Sequence, residues 1–163
     1  MCLRALSFIP TATPLSVGFF IPMLQNKVAM IDTRPFLLSR LHYAVVGATT
    51  DRAKYGYRVL MDLHQAGFSV VGVNPKYHEV EGITCYPTLA SVPHKPDVAI
   101  VVVPPQVGLV VLDEVAALGI TKAWFQPGAE SEAIRTKAKS LGLTAQADGS
   151  CIMVARRALS GTM

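Results

Sequence analysis

LHYAVVGATTDRAKYGY, residues 41–57, opens with a short apolar run at 43–46 and breaks at Gly47. It then crosses small and polar residues and enters a helix-patterned segment. Strand, small-residue turn, helix is the order in which an α/β sheet presents an anion site. The first N–H groups of a helix lack intrahelical partners and carry partial positive charge.

Downstream the alternation repeats. A strand over 42–47 is followed by a helix over 54–66, with Val59, Leu60 and Leu63 on one face and Gly67 as its stop. A strand over 68–73 ends in the turn signal Asn74-Pro75. Residues 83–86 read as a short strand and 89–92 as one helical turn. The run DVAIVVV, 97–103, lies between Pro96 and Pro104 and has the continuous β-branched character of a buried parallel strand. A helix over 105–118 carries Val107, Val110, Val111, Val115 and Leu118 at helical spacing, and Pro105 suits its first turn. A strand over 121–126 follows. The next helix opens at Glu130 and Glu132, closes at Lys137 and Lys139, and stops at Gly142, matching the helix dipole. A last strand, 143–147, leaves a short tail.

Right-handed crossovers turn this order into a doubly wound, Rossmann-like parallel sheet with helices on both faces, a three-layer αβα single domain. Ligands of such folds sit outside the carboxyl ends of the strands, where strand order reverses. That edge gathers four turns: 47–51, 74–76, 103–105 and 126–128.

At 163 residues the chain has the length of one domain. With 51% hydrophobic against 16% charged residues it can build a core and is not of the disordered class. Its net charge is +4, but the basic residues are dispersed, the densest group being Arg135, Lys137 and Lys139. No basic patch interleaves with aromatics, which argues against nucleic acid and leaves a small anionic ligand. Cys2, Cys85 and Cys151 form no CxxC and are too scattered for a disulfide framework or a zinc site. They indicate a reducing, cytoplasmic setting. No apolar run approaches the ~18 residues of a membrane span.

Residues 1–38 differ from the rest. No acid precedes Asp32, and Pro10, Pro14 and Pro22 prevent a long helix. Two readings stand: a targeting leader, which would make the protein mitochondrial, or a non-native or disordered extension before a start at Met30. The expected division is leader 1–38, folded domain 39–155 and tail 156–163.

The turn Gly47-Ala48-Thr49-Thr50-Asp51 is neither a dinucleotide GxGxxG nor a P-loop. Its small residues let a phosphate approach the backbone, and the Thr49 and Thr50 hydroxyls can add hydrogen bonds. NAD sites usually place an acid at the end of the second strand. Here stand Asn74, Pro75 and Lys76, with Arg52 and Lys54 near the first turn. A missing carboxylate plus a lysine suits a phosphorylated ribose. NADP and a 3′-phosphorylated adenosine, as in coenzyme A, both fit.

Six segments together make a resemblance specific. They are Gly47-Ala48-Thr49, Lys54-Tyr55-Gly56-Tyr57-Arg58-Val59, Val73-Asn74-Pro75-Lys76-Tyr77, Val103-Pro104-Pro105, Trp124-Phe125-Gln126-Pro127-Gly128-Ala129 and Cys151-Ile152. In this order, over about 43–154, the chain resembles the small CoA-binding domain proteins. These are similar to the nucleotide-binding domain of the succinyl-CoA synthetase α subunit. The resemblance implies a Rossmann-like fold with coenzyme A as cofactor. It places Gly47, Ala48, Thr49, Thr50, Arg52, Lys54, Tyr55 and Gly56 at the phosphates and Asn74, Pro75 and Lys76 by the phosphorylated adenosine. It places Val103, Pro104 and Pro105 against the adenine or the start of the pantetheine, and Gln126, Pro127 and Gly128 near the pantetheine. Two stretches depart from the pattern. Relatives often carry Ser and a charged residue at Thr49-Thr50, and a basic residue before Cys151.

The chain shows no catalytic set. His42, His64, His78 and His94 are not patterned with a carboxylate or a nucleophile. Cys151 follows the last strand, where it would either form a mixed disulfide with the CoA thiol or pack as a small apolar residue. The expectation is a non-catalytic module that binds coenzyme A or an acyl-CoA, with no metal, nucleic-acid or membrane partner. The alternative is an NADP-binding oxidoreductase-like domain.

Overall fold

The structure is a computed structural model that describes residues 32–161; the leader reading lies outside the described residues up to position 31. In chain order the strands are β1 (His42–Val46), β2 (Ser69–Val73), β3 (Glu79–Val80), β4 (Ile83–Tyr86), β5 (Val98–Val101), β6 (Lys122–Phe125) and β7 (Thr144–Gln146). The helices are α1 (Tyr55–Gln65), α2 (Pro105–Ala117), α3 (Glu132–Ser140) and α4 (Ile152–Ser160). Single 3-10 turns stand at Arg34–Phe36 and Leu89–Ser91.

One sheet has the order β3-β4-β2-β1-β5-β6-β7, and every pairing except β3 with β4 is parallel. Backbone pairing across the middle sets Ala44 opposite both Val71 and Ala99. The chain leaves β1 toward β2 on one side and later resumes at β5 on the other. The reversal of strand order therefore falls between β1 and β5.

Side chains alternate across the strands and divide the core in two. Ala44, Val46, Ala99, Val101, Ala123 and Phe125 face Val111, Leu112 and Val115 of α2 and Ile134 and Ala138 of α3. Tyr43, Val45, Val98, Ile100 and Trp124 face Val59, Leu60 and Leu63 of α1 and Ile152 of α4. These are the three layers expected. Every residue of β5 is buried because helices cover both of its faces. Ser131 caps α3 by accepting the Ile134 N–H at 3.2 Å, and Glu132 and Lys137 sit at the ends the dipole favours.

Three features differ from the sequence reading. β3 is two residues long and too short to carry a period. The segment before 39 is part of the packed unit: Phe36 is 1% exposed and meets Trp124 edge to face at 5.5 Å. The Tyr43 hydroxyl ties it down by donating to the Phe36 and Leu38 carbonyls at 3.0 and 2.9 Å. The tail read over 156–163 is helical as far as Ser160.

α4 is held by charge as much as by apolar contact. Arg156 donates to both Asp62 oxygens at 2.8 and 3.0 Å, and Arg157 adds a third bond at 2.8 Å. Burial pushes the Asp62 carboxyl up, but the two guanidiniums outweigh it and hold it below the usual range. A depressed carboxylate contributes stability above its unfolded pKa and loses it as pH falls through the folded value. Asp62→Asn should therefore destabilise the protein by about 1–3 kcal/mol near pH 7. The gap to the unsubstituted protein should begin to narrow below about pH 4. Urea midpoints measured for both proteins at neutral and acidic pH check this.

Candidate functional site

The turn after β1 is shaped by close packing on three sides. Gly47 has φ +95°, and a Cβ there would stand 2.8 Å from the Val102 carbonyl oxygen beyond β5. Its N–H donates to Val73 of β2 at 3.0 Å. From the helix side, a Cβ on Gly56 would overlap the Gly47 carbonyl oxygen. Glycine at both positions lets the turn lie between the end of β5 and the first turn of α1. No side chain caps α1, whose N-cap is Lys54, so no cap side chain occupies its first N–H groups.

Asn74 fixes the turn from the β2 side. Its Nδ2 donates to the Ala48 carbonyl at 2.7 Å, and its Oδ1 accepts the Lys76 N–H at 2.9 Å. An aspartate could do the second but not the first. The absence of an acid at the end of β2 thus has a reason within the protein as well as one toward a ligand.

These turns border a cavity of about 600 Å³. From the β1 turn and α1 it is lined by Gly47, Thr49, Lys54, Tyr55 and Gly56, and from the β2 turn by Asn74, Lys76 and Tyr77. The end of β5 adds Val102, Val103, Pro104 and Pro105, and the β6 turn adds Gln126, Pro127, Gly128 and Ala129. All four turns expected from the sequence meet there.

Four of the residues singled out in the sequence do not line it. Ala48 is fully buried in the core beneath the turn, with its carbonyl taken by Asn74. Arg52 turns away to Glu81, at 2.6 Å, over the β3–β4 bend. Thr50 and Pro75 are exposed outside the lining. Tyr77, Val102 and Ala129 are additions; each neighbours a singled-out residue. Cys151 is the N-cap of α4, partly exposed, and is not among the lining residues.

The cavity is electrically uneven. On the β1–β2 side lie Lys54 and Lys76. The Tyr77 phenol there is held below its usual range by hydrogen bonds with Thr49 and Thr50, with the two lysines adding to the effect. On the β6 side the Gly128 N–H is already taken, donating to the Glu130 carboxylate at 2.6 Å. Gln126 is 1% exposed, and neither atom of its side-chain amide has a hydrogen-bond partner in the protein. Among the described residues no group of three or more His, Cys, Asp or Glu is placed to hold a metal ion, and no helix is long and apolar enough to cross a membrane.

Residues 42–157 match the CoA binding domain family. The chain belongs to that family. ADP-forming acetate–CoA ligase I of Archaeoglobus fulgidus is 39% identical over 71 residues, covering 41% of this chain and 10% of that protein. This CoA-binding domain thus spans about a tenth of the length of the curated relatives it matches. Among solved structures, a conserved hypothetical protein from Pyrococcus furiosus is 47% identical with a TM-score of 0.67, covering 71% of this chain and 98% of that one. The dinucleotide-forming acetyl-coenzyme A synthetase 1 of Ca. Korarchaeum cryptofilum is 31% identical with a TM-score of 0.60, covering 70% of this chain and 26% of that one. The domain is related to the ADP-forming acetyl-CoA synthetases and shares their Rossmann-like architecture.

The internal role of Asn74 can be separated from any ligand. In the ligand-free CoA-binding domain, Asn74→Asp removes the donor to the Ala48 carbonyl and sets a carboxylate against it. The expected loss is about 1–3 kcal/mol in chemical denaturation. Wild-type stability in this variant would show that the Nδ2 bond does not hold the turn.

Proposed function

We propose that the cavity at the strand ends binds coenzyme A or an acyl-CoA, as a binding or regulatory module without chemistry of its own. Family membership supports the ligand class. The observation that carries the reading is the pairing of an uncapped helix start with Lys54 and Lys76 on the β1–β2 side, around a turn kept open by Gly47 and Gly56. Phosphate oxygens accept from backbone N–H groups and are drawn to ammonium groups. A second cation beyond the first turn suits a ligand that is phosphorylated on its ribose as well as on its linker. The lining contains no His, Cys, Asp or Glu, so its ionisable groups are the two lysines with Tyr55 and Tyr77. The ligase activity named for the curated relatives is not proposed for this chain.

Calorimetric titration with coenzyme A, dephospho-CoA, NADP and NAD tests the reading. Coenzyme A is expected to bind most tightly. Absence of heat with coenzyme A at ~1 mM, or tighter binding of NADP, overturns it. Lys76→Ala should weaken coenzyme A by about five- to tenfold, the value of one charge-assisted contact, and dephospho-CoA by less than twofold. Equal losses for the two ligands would show that Lys76 does not read the 3′-phosphate.

A further inference from the structure

Resting on the coenzyme A reading, we propose that Glu81 is a positioning residue for that ligand. From the tip of the β3–β4 hairpin it holds Arg52, and through Arg52 it braces the turn after β1 that carries Lys54 to the cavity. Arg52 then serves the ligand through the protein instead of touching it.

Glu81 is a residue that its own backbone disfavours. Val80 pairs with Ile83, so Glu81 and Gly82 form a two-residue hairpin connection. Both have positive φ, +50° and +82°. Such connections favour Asn or Asp followed by Gly, and a glutamate in the left-handed region is strained. What the glutamate adds is reach and charge. Its Oε1 accepts from Arg52 Nη2 at 2.6 Å and from the Tyr57 hydroxyl at 3.2 Å. The Arg52 guanidinium also stands 5.9 Å from the centroid of the Tyr57 ring. One partner comes from the β1 turn and the other from the first turn of α1, and both meet on the hairpin tip. The favoured asparagine is a methylene shorter and uncharged.

The turn's own hydrogen bonds are local. Thr49 Oγ1 accepts the Asp51 N–H at 3.2 Å, Asp51 Oδ1 accepts the Ala53 N–H at 3.0 Å, and the Asp51 carbonyl accepts the Lys54 N–H at 3.1 Å. Bonds of this range set the shape of a turn and leave its placement to longer contacts. Asn74 anchors it at Ala48, and the Gly47–Gly56 approach anchors its ends. Arg52 lies between these anchors, and its bond to Glu81 spans 29 positions. Lys54, two positions on, lines the cavity, whereas Arg52 does not. The ion pair is exposed, so it contributes little to global stability. It can bias the placement of the turn by up to roughly fivefold, the equilibrium worth of one exposed pair, and its effect on affinity has the same bound.

The experiment joins two measurements on the full chain: calorimetric titration with coenzyme A, in ~0.15 M salt to screen distant charges, and amide hydrogen exchange without ligand. The variants are Glu81→Asn, Arg52→Gln, the two together, and the charge swap Arg52→Glu with Glu81→Arg. Each neutral single variant should weaken coenzyme A by about three- to fivefold. The two together should lose no more than either alone, because both cut one contact. The charge-swapped protein should bind within about twofold of the unsubstituted one. Without ligand, the Asp51, Ala53 and Lys54 amides should exchange about three- to fivefold faster in the neutral variants and at the original rate in the charge swap. Glu81→Asn should melt within about 3 °C of the unsubstituted protein, since asparagine suits the hairpin turn, so its weaker binding is not loss of fold. Tighter binding by Glu81→Asn would make Glu81 a competitor for Arg52 and overturn the inference. So would a charge swap that fails to recover affinity, which would put Arg52 on the ligand itself, and so would unchanged exchange rates. The exchange measurement needs no ligand. If its rates behave as expected while the unsubstituted protein fails to bind coenzyme A, the coenzyme A reading falls and the bracing of the turn by Glu81 stands.

Discussion

The contact on which the strand ends depend is that of two glycines. Gly47 places its carbonyl oxygen where a Cβ on Gly56 would have to be, while its own missing Cβ makes room for the carbonyl after β5. Either side chain would pry the turn away from α1 or from β5. The separation of those two elements decides whether the first N–H groups of α1 can reach a ligand lying over the sheet edge. The β1–β2 end of the cavity is thus a consequence of backbone packing, and its side chains are secondary to it. The close approach is also why the turn needs no GxGxxG: its second essential glycine is Gly56, inside the helix, nine positions on.

How legible such a site is depends on the range of the interactions that build it. The central strands and the helices α1, α2 and α3 follow from local pattern, because each buries a face whose period is written in consecutive residues. Gly47, Lys76 and Gln126 follow from position, since every residue just past a parallel strand lies on one edge. α4 was not legible as a helix. Ile152 is its one fully buried residue, and its anchor is Asp62, 94 positions earlier. The same holds for Phe36, whose partner Trp124 lies on the far side of the sequence. Arg52 shows the converse case. A cation near a phosphate turn reads as a ligand contact, but a carboxylate brought in by β3 and β4, elements with little local signal, claims it instead.

Asn74 carries a related lesson about inference from a missing group. Absence of an acid at the end of β2 reads as tolerance of a phosphorylated ribose. The structure gives that same absence a second cause, because only an amide can donate to the Ala48 carbonyl while accepting from Lys76. The two causes do not compete. A residue that locks the turn also keeps a negative charge off this side of the cavity. The positive charge on this side of the cavity then comes from Lys54 and Lys76, whose charges reach the Tyr77 phenol.

The two amide side chains that border the cavity make its division of labour visible. Asn74 and Gln126 carry the same functional group, and one has both of its polar atoms satisfied by the protein while the other has neither. Stability alone would keep the first and replace the second by an aliphatic residue. They differ in what surrounds them. Asn74 sits between two turns whose backbone must be fixed before any anion can be held. Gln126 sits at the end of β6, where the cavity lining is glycine, alanine and proline and its own amide is enclosed. The backbone at one end of the cavity is thus fixed in advance by the protein's own hydrogen bonds. At the other, the fold encloses a donor and an acceptor without giving them a partner.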